Sequence, residues 1–169
     1  MSKVFKPGNI WSGNRDLAPL TNPTELAFMK KTVRKHYHVK FRGIAFEDAE
    51  EAFNAHKVGL SFAELQDLCT QIIVCKFQQY PHLHRKIREL GGRDWLKECW
   101  HFTFTRTDAF KRWEGVGIES AFIRCLIAAY DFVADTTPER VPGVIGTAIK
   151  NGKVISRTVL KYTGEEQAK

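Results

Sequence analysis

The sequence lacks any CxxC pair, although it holds four cysteines, Cys69, Cys75, Cys99 and Cys125. Without such a pair there is no zinc knuckle or dithiol redox motif, and the apolar neighbours of Cys69, Cys75 and Cys125 point to buried thiols in a reducing compartment. No run approaches 18 uninterrupted apolar residues, and Met1 to Ile10 has no basic stretch followed by an apolar one. The expectation is therefore neither a membrane span nor secretion, but a cytoplasmic protein. His36 with His38 and His82 with His84 find no third ligand at a convincing spacing, so neither a metal nor a cofactor is expected. P-loop, GxSxG and HExxH patterns are missing, which removes the usual ATPase, α/β-hydrolase and zincin readings. Proline is sparse, six in all, and it marks single boundaries together with glycine instead of clustering into a linker. With no internal repeat either, one domain over residues 1–169 is expected.

What remains describes a globular chain. Hydrophobic residues make up 43% and aromatics 12%, enough for a core in 169 residues and too many for disorder. Twenty-six Lys and Arg against 19 Asp and Glu leave a formal charge of +7, which favours polyanionic partners such as nucleic acid or a pyrophosphate.

Trp11 to Phe28 is rich in Ser, Gly, Asn and Pro and reads as an ordered loop before Thr24. Tyr37, Val39 and Phe41 then alternate with basic residues, the period of a half-buried strand. Lys30 to Arg42 contains six Lys and Arg and no acid. Glu47 to Val58 reads as a helix with Asp48 and Glu51 at capping spacing, and Ser61 with Glu64 opens a longer helix reaching Tyr80. Pro81 starts a third helix that Gly91-Gly92 stops, while Trp95 to Cys99 and His101 to Thr105 read as short strands. A buried helix is expected over Ile118 to Ala134. Val144 to Lys150 and Lys153 to Tyr162, around Asn151-Gly152, have the pattern of a type I′ hairpin, made basic by Arg140, Lys150, Lys153, Arg157 and Lys161.

Several polar groups can converge. Glu50, Asn54 and Lys57 fall at i, i+4 and i+7 on one helical face, which serves either a polar site or an ordinary solvated ion pair. Lys76 ends the core-facing series Leu65, Cys69, Ile72, and it either snorkels to an edge or sits desolvated with a perturbed pKa. Gly115 and Gly117 before a helix suit a phosphate or merely a tight turn, and Trp95, Trp100 and Trp113 suit base stacking or plain core.

In order along the chain, several segments resemble the NADAR superfamily, named for its link to NAD and ADP-ribose. Leu20-Thr21-Asn22 stands where the family has Leu-Ser-Asn, and FRGIAFEDAEEAFNAHK, Phe41 to Lys57, is similar to its strand and helix, with Asn54 in place of a Gln. Lys76-Phe77-Gln78-Gln79, Leu96-Lys97-Glu98 and Trp113-Glu114-Gly115-Val116-Gly117 resemble three further motifs. The likeness spans residues 20–134, and the basic hairpin at 140–163 has no counterpart in it. After the glycine loop the family's Asn-Arg-Leu is replaced by Ala121-Phe122-Ile123.

The resemblance implies an α+β, predominantly helical domain with short strands that cleaves an N-glycosidic bond to ribose. Glu50 matches the family's catalytic carboxylate and Lys57 and Lys76 its two motif lysines, with Asn22, Asn54, Trp113, Gly115 and Gly117 in the substrate-binding positions. The implied substrate is ADP-ribose attached to guanine in nucleic acid, releasing ADP-ribose, or a riboflavin-pathway ribosylaminopyrimidine phosphate. The +7 charge and the basic hairpin favour nucleic acid, and a non-catalytic binder of ADP-ribose or nucleic acid is the alternative of another class. Chemically, a carboxylate stabilises charge developing on the ribose carbon while an acid protonates the departing nitrogen. A desolvated lysine can supply that acid or attack an opened ribose as a Schiff-base nucleophile.

Overall fold

Residues 6–136, and the backbone of 149–150 and 153–154, are described by a computed structural model. The polar opening is ordered by side-chain hydrogen bonds. Asn14 accepts from the Asp16 and Leu17 amides and donates to the Asn9 carbonyl, after which a 3-10 turn forms at Ala18–Leu20. Helix α1 (Thr24–Met29) follows. The expected alternation gives strand β1 (Val39–Phe41), with Val39 and Phe41 buried and Lys40 exposed. It pairs antiparallel with β2 (Ile44–Phe46), Phe41 opposite Ile44. Arg42 and Gly43 make the two-residue turn at φ 51° and 79°, the type I′ geometry. An arginine in the first turn position is a weak signal, which hid this hairpin from the sequence.

Helix α2 (Ala49–His56) is shorter than expected because Asp48 is its cap, accepting from the Glu51 amide at 2.9 Å. Helix α3 (Phe62–Gln79) begins with the expected reciprocal box between Ser61 and Glu64. It is followed by α4 (Pro81–Leu90) and α5 (Gly92–Glu98). The latter corrects the strand expected over Trp95 to Cys99. Gly91 and Gly92, at φ 132° and 69°, redirect the chain so that a second helix starts at once and carries Trp95 and Leu96 into the core.

Only β3 (Trp100–His101) forms from the strand expected over His101 to Thr105. After the single turn α6 (Asp108–Lys111), it pairs with β4 (Gly115–Val116). The amino-terminal segment joins there, the Ile10 amide donating to the Trp100 carbonyl at 2.9 Å. The last long helix, α7 (Ala121–Thr136), starts later than expected because Gly117–Glu119 is a 3-10 turn and the Ser120 hydroxyl accepts from the Ile123 amide. Finally β5 (Ile149–Lys150) and β6 (Lys153–Val154) pair antiparallel with Lys150 opposite Lys153. The Asn151-Gly152 turn, the rest of the expected hairpin and its basic side chains lie outside the described residues.

The chain is thus a mixed α+β fold, predominantly helical, with small antiparallel ladders. Helix α3 is its central wall. Cys69, Ile73, Val74 and Phe77 face the main core shared with α7, while Leu68, Ile72 and Cys75 face a smaller core with β1 and α2. Phe53 packs against both. Among the described residues no helix is long and apolar enough to cross a membrane.

Candidate functional site

Beside the main core opens a cleft of about 380 Å³, within the range of small-molecule sites. Its floor includes Cys69 of α3, and its walls are largely aromatic, with Trp11, Phe53, Phe110, Trp113 and Phe122. Trp113 stands edge-on to Phe53 and Phe62, ring centroids 5.6 and 5.4 Å apart, so its orientation is fixed by packing. Polar side chains interrupt the aromatic wall, Asn22, Lys30, Glu50 and His101 the strongest of them beside the hydroxyls of Ser12, Thr21, Thr103 and Thr105.

Glu50 lies in the first turn of α2, and its amide donates to the Asn22 carbonyl at 3.2 Å. That bond ties the start of α2 to the Leu20–Thr24 loop. Burial raises the Glu50 carboxyl above the ordinary carboxylate pKa, the neighbouring Asp48 charge adds to this, and Lys57 opposes it. Glu50 is therefore a better proton carrier than a surface glutamate. Asn22, only 6% exposed, donates from Nδ2 to Cys69 Sγ at 3.5 Å while its Oδ1 has no hydrogen-bond partner.

The predicted lysines are placed differently. Lys76 is 1% exposed and does not reach the cleft; its Nζ donates to the Thr21 carbonyl at 2.5 Å, behind the loop that carries Asn22. Desolvation lowers its pKa from 10.5 to about 7, with the Asp48 charge pulling the other way. Lys57 is exposed at the C-terminal end of α2 and acts on Glu50 through its charge, and Asn54 is exposed on the same helix. Neither lines the cleft. Asn22, Glu50 and Trp113 do, brought together from three distant parts of the chain.

Gly115 and Gly117 also stand outside the cleft lining, and close backbone packing accounts for them. A Cβ on Gly117 would lie 2.3 Å from the Lys97 carbonyl oxygen, and the Gly117 amide is already bonded to the Cys99 carbonyl at 2.8 Å. Trp95 is buried in the main core and Trp100 forms part of β3, outside the cleft lining.

Three cleft residues carried no signal in the sequence. His101 is buried, its Nδ1 bonded at 2.6 Å to the Ile10 carbonyl and its ring 4.5 Å from Phe122. Because a carbonyl only accepts, Nδ1 carries the hydrogen and Nε2 keeps its lone pair, and burial holds the ring pKa low. Lys30 donates to the Ser12 hydroxyl at 2.8 Å and lies 4.8 Å from the centre of the Trp11 ring, a cation and an aromatic face side by side at the mouth. Position 30 and Trp11 are joined by loop packing, and His101 is placed by the pairing of Ile10 with Trp100, neither of which a local pattern reveals. Among the described residues no three His, Cys, Asp or Glu are grouped to hold a metal. Comparison with protein-family models, with curated proteins and with solved structures found no match to this chain.

Proposed function

We propose that this chain is an N-glycosidase that hydrolyses the bond between a ribose carbon and a base nitrogen, with ADP-ribose on guanine of nucleic acid as its substrate. The observation that carries the reading is Glu50: a carboxyl of raised pKa on the wall of an aromatic cleft of nucleoside size. The motifs that resemble the NADAR superfamily include this residue, together with Asn22 and Trp113 on the same cleft.

The chemistry needs one proton to go out and return. Protonated Glu50 gives its proton to the departing base nitrogen as the C–N bond breaks, and the carboxylate left behind stabilises positive charge on the ribose carbon. Water adds to that carbon and returns its proton to Glu50, leaving free ADP-ribose and the unmodified guanine, still part of its nucleic acid, with the residue ready again. Aromatic walls from Trp11 and Trp113 offer faces for a base, and Lys30 at the mouth suits the pyrophosphate. Lys57 tunes Glu50 through space. Lys76 is a positioning residue, since its amine anchors the Thr21 carbonyl next to Asn22 and stays out of the cleft.

The experiment is turnover of an ADP-ribosylated oligonucleotide, read as released ADP-ribose, beside a ribosylaminopyrimidine phosphate as second substrate. Glu50→Gln should lower kcat by about 10²–10⁴-fold, the usual contribution of a positioned acid–base, with an unchanged thermal midpoint. Full activity in that variant overturns the mechanism. Cleavage of the small phosphate alone moves the substrate assignment to the metabolite, and tight ADP-ribose binding without any turnover makes the chain a binding module.

A further inference from the structure

On the far side of α1 from the cleft lies a second concavity, an open groove of about 1060 Å³, nearly three times the volume of the cleft. Arg15, Lys31, Arg34 and Lys35 line it, and all four are exposed. The strip extends beyond the groove. Lys35, Arg85 and Lys86 all bear electrostatically on His82 of α4, and Lys86 Nζ donates to the Asp16 carbonyl beside Arg15. Among the described residues none of these six Lys and Arg forms an ion pair, and Asp16 is the acid that bears on Lys86. Six unpaired cations along one face repel one another, which a fold selected for stability alone would relieve with interspersed acids.

The strip is also preformed. Thr32 Oγ1 donates to the Ser12 and Ala27 carbonyls at 2.5 and 3.0 Å, its amide donates to Ala27, and Lys31 is held in the left-handed region at φ 62°. The loop is thus pinned from beneath, with Lys31, Arg34 and Lys35 exposed and the Lys35 amine resting 4.9 and 4.8 Å from the Tyr37 and Tyr80 ring centres. Beside it runs a short ladder of rings: Phe28 lies 4.1 Å from His36, which stacks parallel on His38 at 5.4 Å. Phe28 is 37% exposed and itself lines the groove, next to Met29 at 76%. An open trough lined by several cations and an exposed π surface suits a flexible polyanion whose units carry flat rings.

We propose that this groove binds single-stranded nucleic acid, phosphates along Arg15, Lys31, Arg34, Lys35, Arg85 and Lys86 and an unpaired base on Phe28. Unpaired bases are required because a duplex hides the faces that stack. Helix α1 and the residues just after it belong to both concavities, Leu26 and Lys30 facing the cleft and Phe28, Met29 and Lys31 the groove. A strand lying in the groove therefore passes within a few residues of Glu50's cleft. That use of the groove, delivery of a modified base, rests on the glycosidase reading, whereas binding in the groove does not.

The test uses the full chain and an unmodified, fluorescein-labelled single-stranded oligonucleotide, so that the absence of any turnover leaves the measurement intact. Anisotropy titrations across a salt series should give log Kobs falling with log salt at a slope of about −4, roughly 0.7 per phosphate for contacts at all six cations. Arg34→Glu with Lys35→Glu should weaken binding at least tenfold and flatten that slope. Lys97→Glu with Lys111→Glu, the same change in net charge elsewhere on the surface, should change Kobs less than threefold. Phe28→Ala should weaken binding severalfold with the slope retained. Equal losses in both charge-reversal pairs overturn the groove, as does tighter binding to vesicles containing phosphatidylserine than to the oligonucleotide. Preference for a duplex of the same sequence, or no effect of Phe28→Ala, overturns the single-strand assignment. Circular dichroism and thermal midpoints of each variant establish that the fold is kept.

Discussion

Replacing Lys76 by Met tests the central electrostatic feature of the fold. The amine is buried on α3, bonded to the Thr21 carbonyl, and its pKa falls from 10.5 to about 7 because desolvation outweighs the Asp48 charge. At about 1.4 kcal/mol per pH unit, the interior disfavours its charged form by on the order of 5 kcal/mol. In the unfolded chain the amine regains its ordinary pKa. Between about pH 7 and 10.5 the unfolded state thus holds a proton that the folded state has released, and stability rises with pH in that window. Integrated from pH 7 to pH 9, the gain is about 2 kcal/mol.

Thiols act in the opposite direction there. Burial pushes Cys75 up to about 12 and Cys99 to about 11, so each stays protonated in the fold while the unfolded thiol ionises, and stability falls as pH rises through the ordinary thiol pKa. These contributions are common to wild type and Lys76→Met, and subtracting the two removes them. The assay is urea unfolding followed by tryptophan fluorescence at pH 7, 8 and 9, under reducing conditions and at constant ionic strength. Wild-type stability minus that of Lys76→Met should rise by about 2 kcal/mol over this range. Loss of the Thr21 hydrogen bond, about 1 kcal/mol, shifts the whole curve without changing its slope. A difference that stays flat from pH 7 to pH 9 means the amine is charged in the folded protein and refutes the reasoning.

Other perturbations have equally definite outcomes. Gly117→Ala should destabilise by more than about 2 kcal/mol in chemical denaturation, because the new Cβ would meet the Lys97 carbonyl at 2.3 Å; Gly59→Ala, in open space at φ 82°, should cost about 1 kcal/mol from backbone strain alone. Ser61→Ala removes one arm of the α3 capping box and should cost about 1 kcal/mol by thermal unfolding, with cleft activity unchanged. Asn22→Ala should raise KM for the ADP-ribosylated oligonucleotide with little change in thermal midpoint, since truncation breaks only the long Nδ2 bond to Cys69 Sγ at 3.5 Å and the Oδ1 has no partner within the protein to lose.

The helices with strong local chemistry were legible. Ser61 with Glu64, Asp48 with Glu51, and Pro81 with Gly91 mark ends that depend on a few neighbouring residues, and these ends are where the sequence puts them to within a residue or two. Trp95 to Cys99 misled because five residues with three buried apolar side chains fit a strand as well as one helical turn, and only the positive-φ pair Gly91-Gly92 decides. Much of the cleft was readable through Asn22, Glu50 and Trp113. His101 and Trp11 were not, because they are placed by the pairing of Ile10 with Trp100, a contact between segments far apart in sequence that no periodicity encodes. Lys76 shows a further limit. Its helical spacing put the side chain at the end of a core-facing stripe without choosing between a snorkelled and a buried amine, because the carbonyl that holds it buried belongs to a loop more than fifty residues away.

Three costly features meet in one short loop. Thr21 takes the hydrogen bond of a buried amine, the next residue's carbonyl takes the Glu50 amide, and that residue's own Oδ1 goes without a partner. Apolar side chains of similar volume at 22, 50 and 76 would remove an unpaired polar atom and two desolvated ionisable groups, and buried polar sets replaced in this way commonly leave a protein as stable or more so. Packing cannot therefore be the reason these residues are there. Nor are they a network that stabilises itself, since Lys76 bonds a backbone carbonyl and no ion pair to it occurs among the described residues. What they do together is fix the entrance of α2 against the Leu20–Thr24 loop, which holds Glu50 on the cleft wall. Local departures from the most stable arrangement, concentrated where a cavity opens, are the pattern expected of a site built to act on something else.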